Sequence, residues 1–162
     1  MNLFEKVFRE LNRAKVKYLV VGGVAVNLYG YLRFTGDLDL LLFFNKENLE
    51  KMDKVMKKMK YSERLPVSVL ALSNQTQVKK WLKEKNMKAY TFNPPKNNLL
   101  QIDIIIEDSL AFSAYNKKKN IKRMGSLKIP VVSIQDIIKM KKKAHRDKDI
   151  LDLQALKYLS RL

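Results

Sequence analysis

Leu3, Phe4, Val7, Phe8 and Leu11 recur at helical spacing, so the chain is expected to open with an amphipathic helix. Lys17 to Val21, rich in β-branched and aromatic residues, reads as a short buried strand. Gly22-Gly23 breaks that run, and Val24 to Tyr31 follows as a short apolar helix. Thr35-Gly36 is a turn signal ahead of a second strand, Asp37 to Phe44. Asn45 can cap a helix running to about Met59. Glu63 to Asn86 is expected to be mostly helical, with Val78, Trp81 and Leu82 on its apolar face. Ala89 to Phe92 and Leu99 to Ile106 pattern as paired strands, joined by Asn93-Pro94-Pro95-Lys96-Asn97-Asn98, which has turn chemistry. Ile121 to Val132 holds one or two short strands around Gly125-Ser126. Ser133 starts a helix, with Asp136 completing an imperfect capping box, and a last helix covers about Asp147 to Leu159.

This order predicts an α/β (α+β) fold, a small mixed β-sheet flanked by helices with a C-terminal helical pair. A length of 162 residues fits a single domain, 1–162, with a core at 1–132 and C-terminal helices at 133–162. No internal repeat interrupts the pattern. The longest apolar run, Leu38 to Phe44, is too short to span a bilayer, and the N-terminus lacks the basic start and apolar run of a signal peptide. A cytoplasmic protein with no membrane partner is the expectation.

Composition narrows the chemistry. There is no cysteine and a single histidine, His145, so thiolate sites, a cysteine nucleophile and a multi-histidine metal site are excluded. Any metal would be a hard cation on carboxylate oxygens: magnesium, manganese or calcium. The formal net charge of +17 points to a polyanionic partner such as RNA, DNA or a nucleotide. Most of the excess is lysine, which a bias in composition would also produce, and arginine is the better reader of phosphates and bases.

Against that background the acidic residues stand out. Asp37 and Asp39 lie two apart on a predicted strand, so they share a face while Leu38 and Leu40 point into the core. Adjacent carboxylates repel each other and resist burial unless a cation lies between them. Asp103 interrupts the strand-forming run Ile102 to Ile106, where a charge is either buried at a cost or faces a cleft. If the two strands are neighbours, three carboxylates can hold two cations a few ångströms apart, and Asp103 can also accept a proton from an attacking oxygen. Gly22-Gly23, at a strand–helix junction, would let backbone N–H groups approach a phosphate closely.

The stretch Tyr18-Leu19-Val20-Val21-Gly22-Gly23-Val24-Ala25-Val26-Asn27-Leu28-Tyr29-Gly30, followed by Arg33-Phe34-Thr35-Gly36-Asp37-Leu38-Asp39-Leu40, resembles the signature of the nucleotidyltransferase superfamily related to DNA polymerase β. It is most similar to the small bacterial branch of AbiEii-type toxins, minimal nucleotidyltransferases and lincosamide-type antibiotic nucleotidyltransferases. The tail agrees: Asp136-Ile137-Ile138-Lys139-Met140-Lys141, then Arg146-Asp147-Lys148-Asp149-Ile150-Leu151-Asp152-Leu153, is similar to the branch's helix lysine and R-x-K-D-x-x-D segment. The glycine pair departs from the glycine-serine of many members, so a serine contact to phosphate is missing. The resemblance implies Mg²⁺ (or Mn²⁺) on Asp37, Asp39 and Asp103 and an NTP substrate over Gly22, Gly23, Lys141 and Arg146. It also implies that Asp149 and Asp152 orient Lys141 and Arg146 rather than bind metal.

The expected activity is transfer of a nucleoside monophosphate from an NTP to an acceptor. RNA, for instance a tRNA end, is favoured by the charge and by the toxin members, in which case a cognate toxin or antitoxin protein is a partner. A protein acceptor comes second, and a cationic antibiotic third, because a basic surface would repel it. A non-catalytic module binding RNA or protein is the competing class. Several residues keep two readings: Lys141 as a phosphate contact or a solvated helix face, and Arg146 as a phosphate contact or a surface ion pair. Arg33 would touch substrate or lie on the surface, His145 reads as surface rather than general base, and Trp81 as core rather than base-stacking.

Overall fold

The computed structural model describes residues 2–162. Helix α1 (Leu3–Arg13) starts where the Asn2 side chain accepts the Glu5 backbone N–H at 2.8 Å, and it buries Val7, Phe8 and Leu11. Strand β1 (Tyr18–Val21) runs directly into α2 (Gly22–Leu28), so Gly22 is the first helical residue rather than a spacer. Strand β2 (Asp37–Leu42) follows, then α3 (Lys46–Lys58), capped by Asn45.

The expected long helical segment at 63–86 is broken in the structure. It contains the end of β3 (Ser62–Glu63), an irregular stretch, a 3₁₀ turn (Val69–Ser73) and α4 (Gln75–Lys85). Pro66 disfavours a helical Leu65, and two capping side chains set new starts: Ser68 accepts from Leu70 N and Asn74 from Gln77 N. Strands β4 (Ala89–Asn93) and β5 (Gln101–Ile105) pair antiparallel as expected. Ile106, expected in strand, instead opens α5 (Ile106–Ser109), and α6 (Phe112–Lys117) follows. The turn has a local cause: buried Ser109 donates to Ile105 O at 2.5 Å and accepts the Leu42 N–H at 3.1 Å, closing the ends of β5 and β2. Strands β6 (Asn120–Met124) and β7 (Leu127–Val131) form a hairpin, and α7 (Ile134–Ala144) and α8 (Asp149–Leu159) complete the chain.

One mixed seven-stranded sheet results, in the order β3-β4-β5-β2-β1-β7-β6. The central strands β1 and β2 are antiparallel, with Val21 opposite Asp39, and β2 and β5 are parallel, with Asp39 opposite Asp103. Leu38, Leu40, Leu41 and Leu42 are all fully buried, so β2 has core on both faces except at its acidic start.

Asn48 on α3 fastens the far end of this sheet. Its buried amide accepts the Lys17 N–H at 2.7 Å and donates to Lys17 O and Phe43 O at 2.9 and 3.0 Å. Asn48→Ala leaves those backbone groups unpaired near the core and is expected to cost about 2 kcal/mol, read as a lower urea midpoint. A change within a few tenths of a kcal/mol would show that water replaces the amide there.

Candidate active site

Strand alternation places Asp37 and Asp39 on one face at the start of β2, Asp37 exposed and Asp39 half-buried. The parallel register sets Asp103 beside Asp39 on the neighbouring strand. Asp103 is held from two sides: its Oδ1 accepts from Thr91 Oγ1 at 2.7 Å, and both its oxygens accept from Gln101 Nε2, at 3.2 and 3.1 Å. Thr91 is its cross-strand partner on β4, so the sheet itself supplies that contact.

Burial, then the charges of Asp103 and Asp37, push the Asp39 carboxyl up to about 6. Neighbouring Arg146 and Lys148 oppose the shift without cancelling it. The three acids therefore form a locus of uncompensated negative charge. A hard divalent cation suits such an all-carboxylate donor set. Among the described residues no group of three or more carboxylate or imidazole side chains is placed to hold a metal ion by itself.

Gly22 and Gly23 serve different geometric needs. Gly22 has φ +69°, and a Cβ on it would overlap the Asp39 carboxylate. Glycine there permits both the left-handed backbone and the close approach of Asp39. Gly23 has no such backbone requirement and faces Thr35 and Arg33.

The opposite wall comes from α7 and α8. Lys141, only 5% exposed, reaches Asp149 Oδ1 and Asp152 Oδ2, each at 2.9 Å. Arg146 donates through Nε to Asp149 Oδ2 at 2.8 Å, and Arg33 grips Asp152 with Nε and Nη2, both at 2.7 Å. Three cations thus share two carboxylates, leaving one net positive charge facing the acids. Burial alone would raise Asp149 and Asp152, but hydrogen bonds from Arg146 and Lys141, and from Arg33 and Lys141, hold both below the usual carboxylate range.

The structure brings Gly22, Asp37, Asp39, Asp103, Lys141 and Arg146 around one cleft of about 420 Å³. Gly23 lines an adjoining cleft of about 310 Å³ that shares Asp37, Asp39, Lys141 and Arg146. Lys148 borders both clefts, and Thr35 the smaller one. Neither was singled out from the sequence, although both lie inside stretches that carried the resemblance. Of the residues with two readings, Arg33 is tied to Asp152 beside the site. His145 is exposed and ends α7 in a left-handed conformation (φ 50°), while Trp81 is half-buried against the core. Among the described residues, no helix is long and apolar enough to cross a membrane.

Residues 8–157 match the family described as nucleotidyl transferase AbiEii toxin, type IV TA system. No curated protein sequence matches the chain. Among solved structures, the lincosamide antibiotic adenylyltransferase LnuA, lincomycin-bound, is similar with a TM-score of 0.64 at 16% identity, covering 96% of this chain and 95% of that one. A candidate nucleotidyltransferase from Thermotoga maritima is similar at 0.57 and 17% identity, with 99% and 92% covered. ANT(2")-Ia in complex with adenylyl-2"-tobramycin is similar at 0.59 and 12% identity, with 95% and 85% covered. Identities this low speak for the shared fold alone.

Proposed function

The chain belongs to the AbiEii nucleotidyl transferase toxin family and is a nucleotidyltransferase, and from that premise we propose that it transfers a nucleoside monophosphate from an NTP to RNA with the help of Mg²⁺. The observation that carries the site is the register of β2 against β5, which sets Asp103 beside Asp39 at the open end of the sheet. Asp37, Asp39 and Asp103 would hold Mg²⁺ or Mn²⁺. When bound, the ion neutralises triphosphate charge and stabilises the charge that develops as the phosphoryl group moves.

The chain's own groups position the rest. Backbone N–H groups at Gly22 and Gly23 face the phosphates, and the net positive charge around Lys141 and Arg146 offsets the triphosphate from the other wall. The acceptor hydroxyl oxygen bonds to the α-phosphorus, the bond from that phosphorus to the bridging oxygen breaks, and pyrophosphate leaves. The hydroxyl proton passes to the Asp103 carboxylate, which Thr91 and Gln101 keep in place. Little covalent work falls to the protein, so catalysis is positioning and charge neutralisation.

The RNA acceptor, for instance a tRNA end, is supported by the net charge of +17. An antitoxin partner is suggested by the family description, and the cytoplasm supplies both NTP and RNA. With labelled NTPs and Mg²⁺, label is expected to enter cellular RNA, and RNA binding to weaken about tenfold or more between 50 and 200 mM salt. Label entering only protein, or only lincosamide or aminoglycoside drugs, would replace RNA as the acceptor. No labelled product with any of them would sink the transfer reading.

A further inference from the structure

The smaller cleft contains a donor pair that the reaction above leaves unused. Thr35 precedes β2, and its Oγ1 lies 2.7 Å from where a Cβ on Gly23 would be. Arg33 Nη2 lies 3.1 Å from the same point. A real Cβ essentially never tolerates the first of these contacts, so the space a residue-23 side chain would fill belongs to the Thr35 hydroxyl and the Arg33 guanidinium. Gly23 has no positive φ to justify glycine, which leaves this approach as the physical reason for the missing side chain.

Both groups can turn a donor to a ligand. The Thr35 hydroxyl has a single proton, and it goes to Asp37 O in a long bond of 3.3 Å that a phosphate oxygen would replace. Arg33 uses Nε and Nη2 on Asp152 and Nη1 on Phe34 O. A guanidinium has five N–H groups, so one on each terminal nitrogen stays free. Asp152, itself fully buried, fixes the guanidinium plane, so little side-chain entropy is lost when a ligand binds. The cleft also borders Asp37, Asp39, Arg146 and Lys148, placing these donors next to the proposed metal-binding acids.

We propose that Thr35 Oγ1 donates to a non-transferred phosphate of the bound NTP, with Arg33 beside it, and that Gly23 is empty of side chain so that this hydroxyl can stand there. The proposal rests on the nucleotidyltransferase site described above and names a further triphosphate-binding residue within it.

The test moves the hydroxyl across the gap. Affinity for a Mg²⁺-bound, non-hydrolysable α,β-methylene ATP is measured by calorimetry, and thermal melting checks that each variant folds. Thr35→Val keeps the shape and loses the hydroxyl, so binding is expected to weaken about tenfold to a hundredfold. Thr35→Ser stays near wild type. Gly23→Ser alone also weakens binding, because its Cβ meets Thr35 and Arg33. The double variant Gly23→Ser/Thr35→Ala removes the 2.7 Å contact and carries the hydroxyl on the other side of that space. Arg33 Nη2 and the residue-35 Cβ, each 3.1 Å from the new Cβ, give by a few tenths of an ångström, and the double variant is expected to bind more tightly than Thr35→Ala. Wild-type binding with Thr35→Val unchanged, or a double variant no tighter than Thr35→Ala, overturns this assignment alone. A wild type that binds no triphosphate with any of the four common bases overturns it together with the proposed function.

Discussion

Asp39→Asn is expected to reduce nucleotide transfer about a thousandfold or more while making the metal-free protein more stable. The first effect follows from position. Asp39 is the acid closest to both other carboxylates and to Gly22, so its oxygen is the one a bridging cation would need. The second effect follows from charge. Folding lifts the Asp39 carboxyl from 3.8 to about 6, so the folded state prefers it protonated. A carboxyl raised on folding contributes stability below its ordinary value, and that contribution disappears as pH rises through the folded value. Across the window from 3.8 to about 6 the wild type therefore loses on the order of 3 kcal/mol, and above it carries the ionised group at a cost. Asparagine has the same shape and no charge, so its melting temperature at neutral pH is expected to be higher by several degrees. Mg²⁺ with an NTP analogue should stabilise the wild type and leave the variant nearly unmoved. A variant that melts lower than wild type, or still transfers label at a tenth of the rate, would count against Asp39 as a charge-strained metal ligand.

That strain also explains why the acid pair was visible in the sequence. Two carboxylates inside Asp37-Leu38-Asp39-Leu40 violate the apolar pattern of a central strand, and local rules fail most informatively where function is stored. The alternation told which face they share, and Asp103 within Ile102 to Ile106 carried the same signal. The partnership of the two strands did not follow from either segment, because a parallel pairing between β2 and β5 is fixed by the elements packed around them. The breaks in the 63–86 region were written in Pro66, Ser68 and Asn74, which the apolar stripe of Val78, Trp81 and Leu82 overshadowed. The short helices α5 and α6 span four and six residues, fewer than helical periodicity needs to show itself. Least legible was Arg33, whose partner Asp152 lies 119 residues away. From the sequence it reads equally as a substrate contact or a surface cation; only the docking of α8 makes it part of the wall.

Lys141→Ala is expected to be the most destabilising single change near the site. The side chain is 5% exposed and, among the described residues, is the only cation that bonds both Asp149 and Asp152, which are 1% and 0% exposed. Without it, two buried carboxylates depend on Arg146 and Arg33, each attached to one of them and each reaching in from a more exposed position. Breaking a buried pair in this way costs about 3–5 kcal/mol, more than the intact pair is worth, because the charges left behind remain desolvated. The pH dependence separates this cause from simple loss of packing. Both carboxyls sit below 3.8 in the folded wild type, so they contribute stability above that value which is lost as pH falls through their lowered values. In the variant they take up protons at higher pH, which relieves the buried charge. The gap between wild type and Lys141→Ala in urea unfolding should therefore be widest near pH 7 and shrink as pH falls toward 4. Transfer activity is expected to be lost even under conditions where the variant is folded, since α7 and α8 would no longer hold positive charge opposite Asp37 and Asp39. A gap below 1 kcal/mol, or one that does not change between pH 7 and pH 4, would mean that water reaches Asp149 and Asp152 and that the lysine is not what keeps them charged.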